Sequence, residues 1–252
     1  MEVEHKDAAT AAKARGFPWI LVVSTLVALA ILISLGNWQL RRLAWKENLL
    51  ATIDARIHAA PIPLADVLAR IRAAEDVEYL PVTADGEFVP GTEQHVLSTW
   101  QGASGWNVYQ PLRLADGSLL FVNRGFVPYD RKDPATRPES AATGSQHIEG
   151  LARLPLAAKP SFLVPDNDPD RNEYYWKDLG AMASAVGVSG ERVLPLFVDA
   201  APYADPSKLP VGGVTNIDLP NSHLQYAMTW YGLALALAAV SGVFLWRRLR
   251  SA

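Results

Sequence analysis

The chain has 252 residues, 23 Lys and Arg against 26 Asp and Glu, and a formal net charge of −3. So small a charge excludes the basic footprint a nucleic-acid partner would ask for. With no cysteine there are no disulfides, thiolate metal sites or cysteine nucleophiles.

The elements follow in chain order. Residues 1–16 form a polar tail, predicted to be cytoplasmic. Its start, "MEVEHKD", holds three acids in seven residues. That argues against a basic mitochondrial presequence and for a bacterial inner-membrane protein. Phe17 to Gly36 contains no charged residue, and a transmembrane helix needs about 20 apolar residues. The polar "GNWQLRRLAWKENLL" follows where a cleaved signal peptide would show small residues. Residues 17–40 are therefore expected to be an uncleaved first span. Leu40 to Ala59 continues as an amphipathic helix, and "PIPLADVLARIRAAED" is a shorter helix after a proline break.

From Glu78 the pattern changes to strands. "EYLPVTADGEF", "EQHVLSTW", "GWNVYQPLRLADGSLLFVNRGFVP", "QHIEGLARL" and "RVLPLFVDA" are short apolar runs divided by turn residues. Asp116-Gly117 between two such runs is a hairpin signal. "NEYYWKDLGAMASAVG" reads as a helix ending at Gly187. Residues 41–220 are thus an α+β domain with a small antiparallel sheet or barrel. Residues 221–246 hold a second span, uncharged from Tyr226 to Trp246, and residues 247–252 a second cytoplasmic tail. The expected fold class is a membrane protein: two transmembrane helices, embedded in a lipid bilayer, flanking an exported α+β domain.

Arg247, Arg248 and Arg250 follow the second span, and Lys13 and Arg15 precede the first. The positive-inside rule puts both ends in the cytoplasm and the long middle domain in the periplasm, despite Arg41, Arg42 and Lys46.

Catalytic patterns are missing. "GASG" and "GVSG" do not make a nucleophile elbow. His58, His95 and His147 have no zinc spacing. "PDNDPDRNE" fails as a calcium loop, because Arg171 replaces the required glycine and Lys177 the bidentate Glu. It reads as a solvated loop. The expectation is a protein that is not an enzyme.

One position stands out. Ser222 and Gln225 form a capping-box pattern, so the second span starts there with His223 as its first residue. His223 lies 24 steps before Arg247, about 36 Å, against a hydrocarbon core of about 30 Å. It therefore sits just outside one boundary. Tyr226 and Trp230 follow on one helix face. The positive end of the helix dipole favours a neutral imidazole, the form that binds metal. Trp38, Arg41 and Arg42 lie at the same height on the first span. The imidazole with flat aromatic neighbours suits haem ligation, and the arginines suit propionate carboxylates. The same residues also suit plain interface anchoring. Ala234, Ala238 and Gly242, spaced by four, are expected to mark the packing of the second span on the first.

Four segments in this order, "LGNWQLRRLAWKENLL", "LLFVNRGFVP", "WKDLGAMASAVG" and "PNSHLQYAMTWYGLALAL", resemble the Surfeit-locus (Surf/Shy) family of cytochrome c oxidase assembly factors. The resemblance runs from about Pro18 to Arg248, and Phe126 stands where the family usually has Trp. It implies a role in inserting haem A into the catalytic subunit of the oxidase, with haem A synthase as a further candidate partner. It also implies that His223 ligates the haem iron, with Trp230 one heptad on. A cofactor-free structural chaperone of an oxidase subunit is the alternative.

Overall fold

The structure is a computed structural model that describes residues 19–188, 192–205, 207–215 and 221–250. The tail expected over 1–16, the first two residues of the first span, residues 216–220 and the last two residues lie outside the described residues. Two compact units divide the chain: Met1–Leu50 with Leu219–Ala252, and Ala51–Asp218.

The first unit is a pair of long helices. α1, Trp19–Ile57, runs 39 residues without a break, its last turns belonging to the second unit. At about 1.5 Å per residue it is roughly 58 Å long, almost twice a hydrocarbon core. α4, His223–Arg250, has 28 residues and ends in Arg247, Arg248 and Arg250. Both are long and apolar enough to cross a membrane, and only 6% of each apolar window is buried. That exposure separates them from the core helix of a soluble protein. Ile20, Leu26, Ile31, Leu235, Val240 and Phe244 all project outward.

The helices pack antiparallel, as three polar contacts show. The Thr25 and Ser241 hydroxyls are 3.4 Å apart, Tyr231 Oη donates to Asn37 Oδ1 at 2.7 Å, and His223 bonds Gln39 at 2.7 Å. Among the less exposed residues of α4, which also include Tyr231, Leu245 and Arg248, run His223, Ala227, Trp230, Ala234, Leu237 and Ser241. That alternation of four and three is the period of a left-handed helix pair. It corrects the expected stripe of small residues. Ala234 is buried, but Ala238 and Gly242 are exposed, and a Cβ added to Gly242 would meet nothing within 4 Å. Steps of four drift about 40° each around a helix of 3.6 residues per turn, so such a stripe leaves the seam. The close approach is made instead by Gly36, where a Cβ would lie 2.7 Å from the Tyr231 ring.

The second unit is a small barrel-like sheet. Its strands are β1 (Ile62–Pro63), β2 (Pro81–Phe88), β3 (Gln94–Trp100), β4 (Ala103–Arg113), β5 (Leu119–Pro128), β6 (Gln146–Arg153) and β7 (Val193–Ala200). The order is β1-β2-β6-β7-β5-β4-β3, and a further pairing of β2 with β4 closes the ring. β5 and β7 run parallel and the other ring pairs antiparallel. Alternation sends Val82, Ala84, Phe88, Leu112, Leu120, Val122, Ile148 and Val198 into one core, with Leu64 and Val67 of α2 (Leu64–Arg72). Tyr109, Phe121 and Phe197 point to the other face, under Met182 and Ala183 of α3 (Leu179–Ala185). The Asp116-Gly117 turn joins β4 to β5. Gly117 has φ +79, and Asp116 Oδ1 accepts from the Ser118 amide at 2.9 Å.

The helix expected over 172–187 is shorter. α3 begins after Asp178, whose carboxylate accepts from the Ala181 amide at 3.0 Å. Residues before it are extended: the Tyr174 amide donates to the His95 carbonyl at 2.9 Å and the Leu97 amide to the Tyr174 carbonyl at 2.7 Å. Edge pairing with β3 overrides the helical pattern there. The Asp-rich stretch is a tight turn in which Asp168 and Glu173 exchange backbone bonds at 2.8 and 3.0 Å.

Candidate functional site

The site lies where α4 begins. α4 starts at His223, and the Tyr226 amide donates to the Ser222 carbonyl at 3.2 Å, closing the first turn. His223 is therefore held by helical backbone and sits on the seam, half-buried. Across from it Gln39 is 8% exposed. A buried amide needs partners, and His223 supplies one: Nδ1–H donates to Gln39 Oε1 at 2.7 Å. In the neutral ring this leaves the lone pair on Nε2, and no described residue takes it. A hydrogen bond on one ring nitrogen setting the tautomer of the other is how protein imidazoles are prepared as metal ligands.

The antiparallel alignment puts Trp38, Arg41 and Arg42 level with the first two turns of α4. The six residues singled out by sequence are not equally placed. Trp230 is half-buried on the same stripe as His223. Tyr226 is 53% exposed, on the flank of that stripe. Trp38 is 51% exposed, and it shares one flank of α1 with Arg42, four residues on. The Arg42 guanidinium lies over the Trp45 ring, 3.8 Å from its centroid. Arg41 is two residues past Gln39, about 200° around the helix, so it faces away from α4. The structure thus joins His223 to Gln39, puts Trp230 about two turns on along the same stripe, leaves Tyr226, Trp38 and Arg42 on the flanks, and turns Arg41 away.

Sequence reasoning misses Gln39 because it lies in a polar run that reads as interface. A signal for it exists. Gln39 continues the three-and-four spacing of the less exposed positions Thr25, Ala28, Leu32 and Leu35, so it belongs on the packing side. Asn37 is missed for the same reason and Tyr231 because it sits inside the apolar run; together they tie the helices further along the pair. Among the described residues no group of three or more His, Asp or Glu is arranged around a common point. Among the described residues, what this unit offers a metal is one oriented imidazole nitrogen, that of His223.

Comparison with known proteins agrees with this layout. The SURF1 family model matches residues 26–235, a range that reaches from α1 into α4. The chain is 35% identical over 235 residues to Surfeit locus protein 1 of Xenopus tropicalis, covering 86% of this chain and 72% of that protein. It is 34% identical over 248 residues to Surfeit locus protein 1 of Mus musculus, covering 90% and 74%. It is 34% identical over 246 residues to the Homo sapiens protein of that name, covering 90% and 75%. The chain belongs to the SURF1 family of cytochrome c oxidase assembly factors.

Proposed function

We propose that this chain is a membrane-bound assembly factor, not an enzyme, that holds haem A at the outer face of a bacterial inner membrane and helps insert it into the catalytic subunit of cytochrome c oxidase. Haem A synthase is the class of partner that would deliver the cofactor. The barrel unit is then periplasmic, and the arginines ending α4 are cytoplasmic by the positive-inside rule.

The observation that carries the reading is the His223–Gln39 bond. The residues fit the group at one point: among the described residues nothing takes the Nε2 lone pair, so His223 would hold the iron there, and the ring is half-buried rather than sealed. Haem supplies an iron that accepts that lone pair and two propionate carboxylates. Trp230 and Tyr226 offer flat apolar surface beside His223. Arg42 is the candidate propionate partner, since Arg41 faces away.

The test is purification from cells that make haem A. Wild type should carry a haem absorption spectrum, and His223→Ala should lose it while keeping the circular dichroism of the folded chain. An unchanged spectrum in His223→Ala discards the ligand. A wild type without a spectrum favours the cofactor-free chaperone of an oxidase subunit.

A further inference from the structure

The barrel unit contains a buried polar cluster that the proposed function does not use. Arg137 is fully buried, and all five of its N–H groups are taken. Nε donates to the Arg131 carbonyl at 3.0 Å, and the two Nη atoms donate to Glu93, Ser140 Oγ and the Lys132 carbonyl. Arg124, 5% exposed, donates from one Nη to Glu93 Oε1 at 3.1 Å and Gln110 Oε1 at 2.7 Å, and from the other to the Ser140 carbonyl. One carboxylate therefore faces two buried guanidiniums. Lys132 adds no balance, because Glu173 neutralises it at 3.1 Å. A net charge of about +1 is left in a place where an uncompensated charge is costly.

Donors are left over as well. Arg124 Nε is buried with no partner, and so are both ring nitrogens of His95. The His95 residue is 3% exposed, and its nearest carboxylate oxygen, Glu93 Oε2, is 3.9 Å from Nε2. Burial pushes its imidazole down to about 4, so the ring is neutral and keeps one N–H to donate. Buried polar groups are rarely left unbonded. Arg124, Arg137, Glu93 and His95 line one cavity of about 400 Å³, with Pro90, Pro134, Pro138 and Ala141 around it and the unpartnered nitrogens set just beneath its wall.

We propose that this cavity binds a small carboxylate. A single negative charge matches the single excess positive one. Arg124 Nε–H and one His95 N–H are the donors it would satisfy, and charge-assisted bonds of this kind are the strong ones. The proline and alanine walls suit a short alkyl body, and a phosphate dianion would overshoot the charge.

The probe is trifluoroacetate, followed by its single fluorine resonance with the full chain in detergent, and displaced with acetate. Wild type should broaden the signal saturably, and acetate should reverse it. Ala141→Trp places a ring at the cavity wall on an exposed residue, so the fold should survive. It should weaken binding at least about tenfold, as should Arg124→Lys, the equivalent of losing one charged hydrogen bond. The proposal is overturned by three results: no saturable broadening at several millimolar, equal broadening in Ala141→Trp, or displacement by phosphate but not acetate. Any of them makes the cavity a structural network.

Discussion

Glu93 should hold the barrel unit together more than any exposed ion pair in it. Its side chain is 10% exposed and accepts from both Arg124 and Arg137. Glu93→Gln keeps the shape, removes the charge, and turns an NH2 group toward guanidiniums whose other acceptors are neutral. Breaking a buried pair by neutralising one partner costs about 3–5 kcal/mol. Here two guanidiniums lose their only carboxylate, so the upper end applies. At about 2–4 °C per kcal/mol for a domain of 150–250 residues, the midpoint should fall by roughly 10–20 °C. The assay is thermal unfolding followed by near-ultraviolet circular dichroism, which reads the packed aromatics of this unit. Glu139→Gln is the control: Glu139 meets Arg131 at 3.4 Å with its side chain 49% exposed, and such pairs contribute at most about 1 kcal/mol. A Glu93→Gln midpoint within about 2 °C of wild type would mean that water already screens the guanidiniums. The buried-charge reasoning would then be wrong.

Three more outcomes are expected. Gly125→Ala should cost at least about 2–3 kcal/mol and cut the yield of folded protein. Gly125 has φ +128, and an added Cβ would sit 2.0 Å from the Val211 carbonyl oxygen; equal yield and midpoint would refute the close approach. His95 should make the unit acid-sensitive. Its folded pKa of about 4 lies below the ordinary 6.5, so its contribution is present above 6.5 and is lost as pH falls through 4. At 1.36 kcal/mol per unit, wild type should lose about 3 kcal/mol more than His95→Gln between pH 7 and 4, measured as urea midpoints. Parallel pH curves would refute a buried neutral ring. On the proposed reading of His223 as a haem ligand, Gln39→Leu should leave the chain folded but weaken haem retention about 10–100-fold, the usual cost of losing the partner of a metal-bound imidazole; retention at the wild-type level under repeated washing would count against it.

Much of the fold could be read from local chemistry. The strands are legible because alternation and turn residues are local signals, as at Asp116-Gly117, where the turn needs a positive φ and the sequence provides Gly117. Ring closure is not local. It rests on Glu87 and Phe88 pairing with Arg113 and Leu112, and neither segment announces the other. The misread helix has the same origin. Tyr174, Tyr175 and Trp176 look like an amphipathic turn, but Tyr174 bridges to Val96 and the Tyr175 and Trp176 amides bond Asn167 Oδ1 at 2.8 and 3.3 Å, which holds the chain in a bend instead. In the helix pair, depth was legible and azimuth was not. Counting residues puts His223 level with Trp38, Arg41 and Arg42 of α1, and its bond to Gln39 lies in that stretch. Deciding that Gln39 faces it and Arg41 does not requires the seam, and the seam follows a period of about 3.5 rather than the spacing of four suggested by Ala234, Ala238 and Gly242.

The seam also explains how one contact can do two jobs. Lipid tails are as apolar as leucine, so helices in a bilayer gain little from apolar contact and rely on close packing and polar contacts. This pair uses three: Thr25–Ser241 at one end, Tyr231–Asn37 near the other, and His223–Gln39 at the mouth. The first two fix the register. With the register fixed, Gln39 meets Nδ1, and among the described residues nothing meets Nε2. The tautomer is therefore set by helix packing, not by the local sequence around His223. Gly36 belongs to the same device. The Tyr231 ring lies on it with no room for a Cβ, and from there its hydroxyl reaches Asn37. A disturbance at Gly36 would act on the imidazole only through register, whereas one at Gln39 acts on it directly. The difference between those two effects is a measure of how far the site depends on the pairing of the helices.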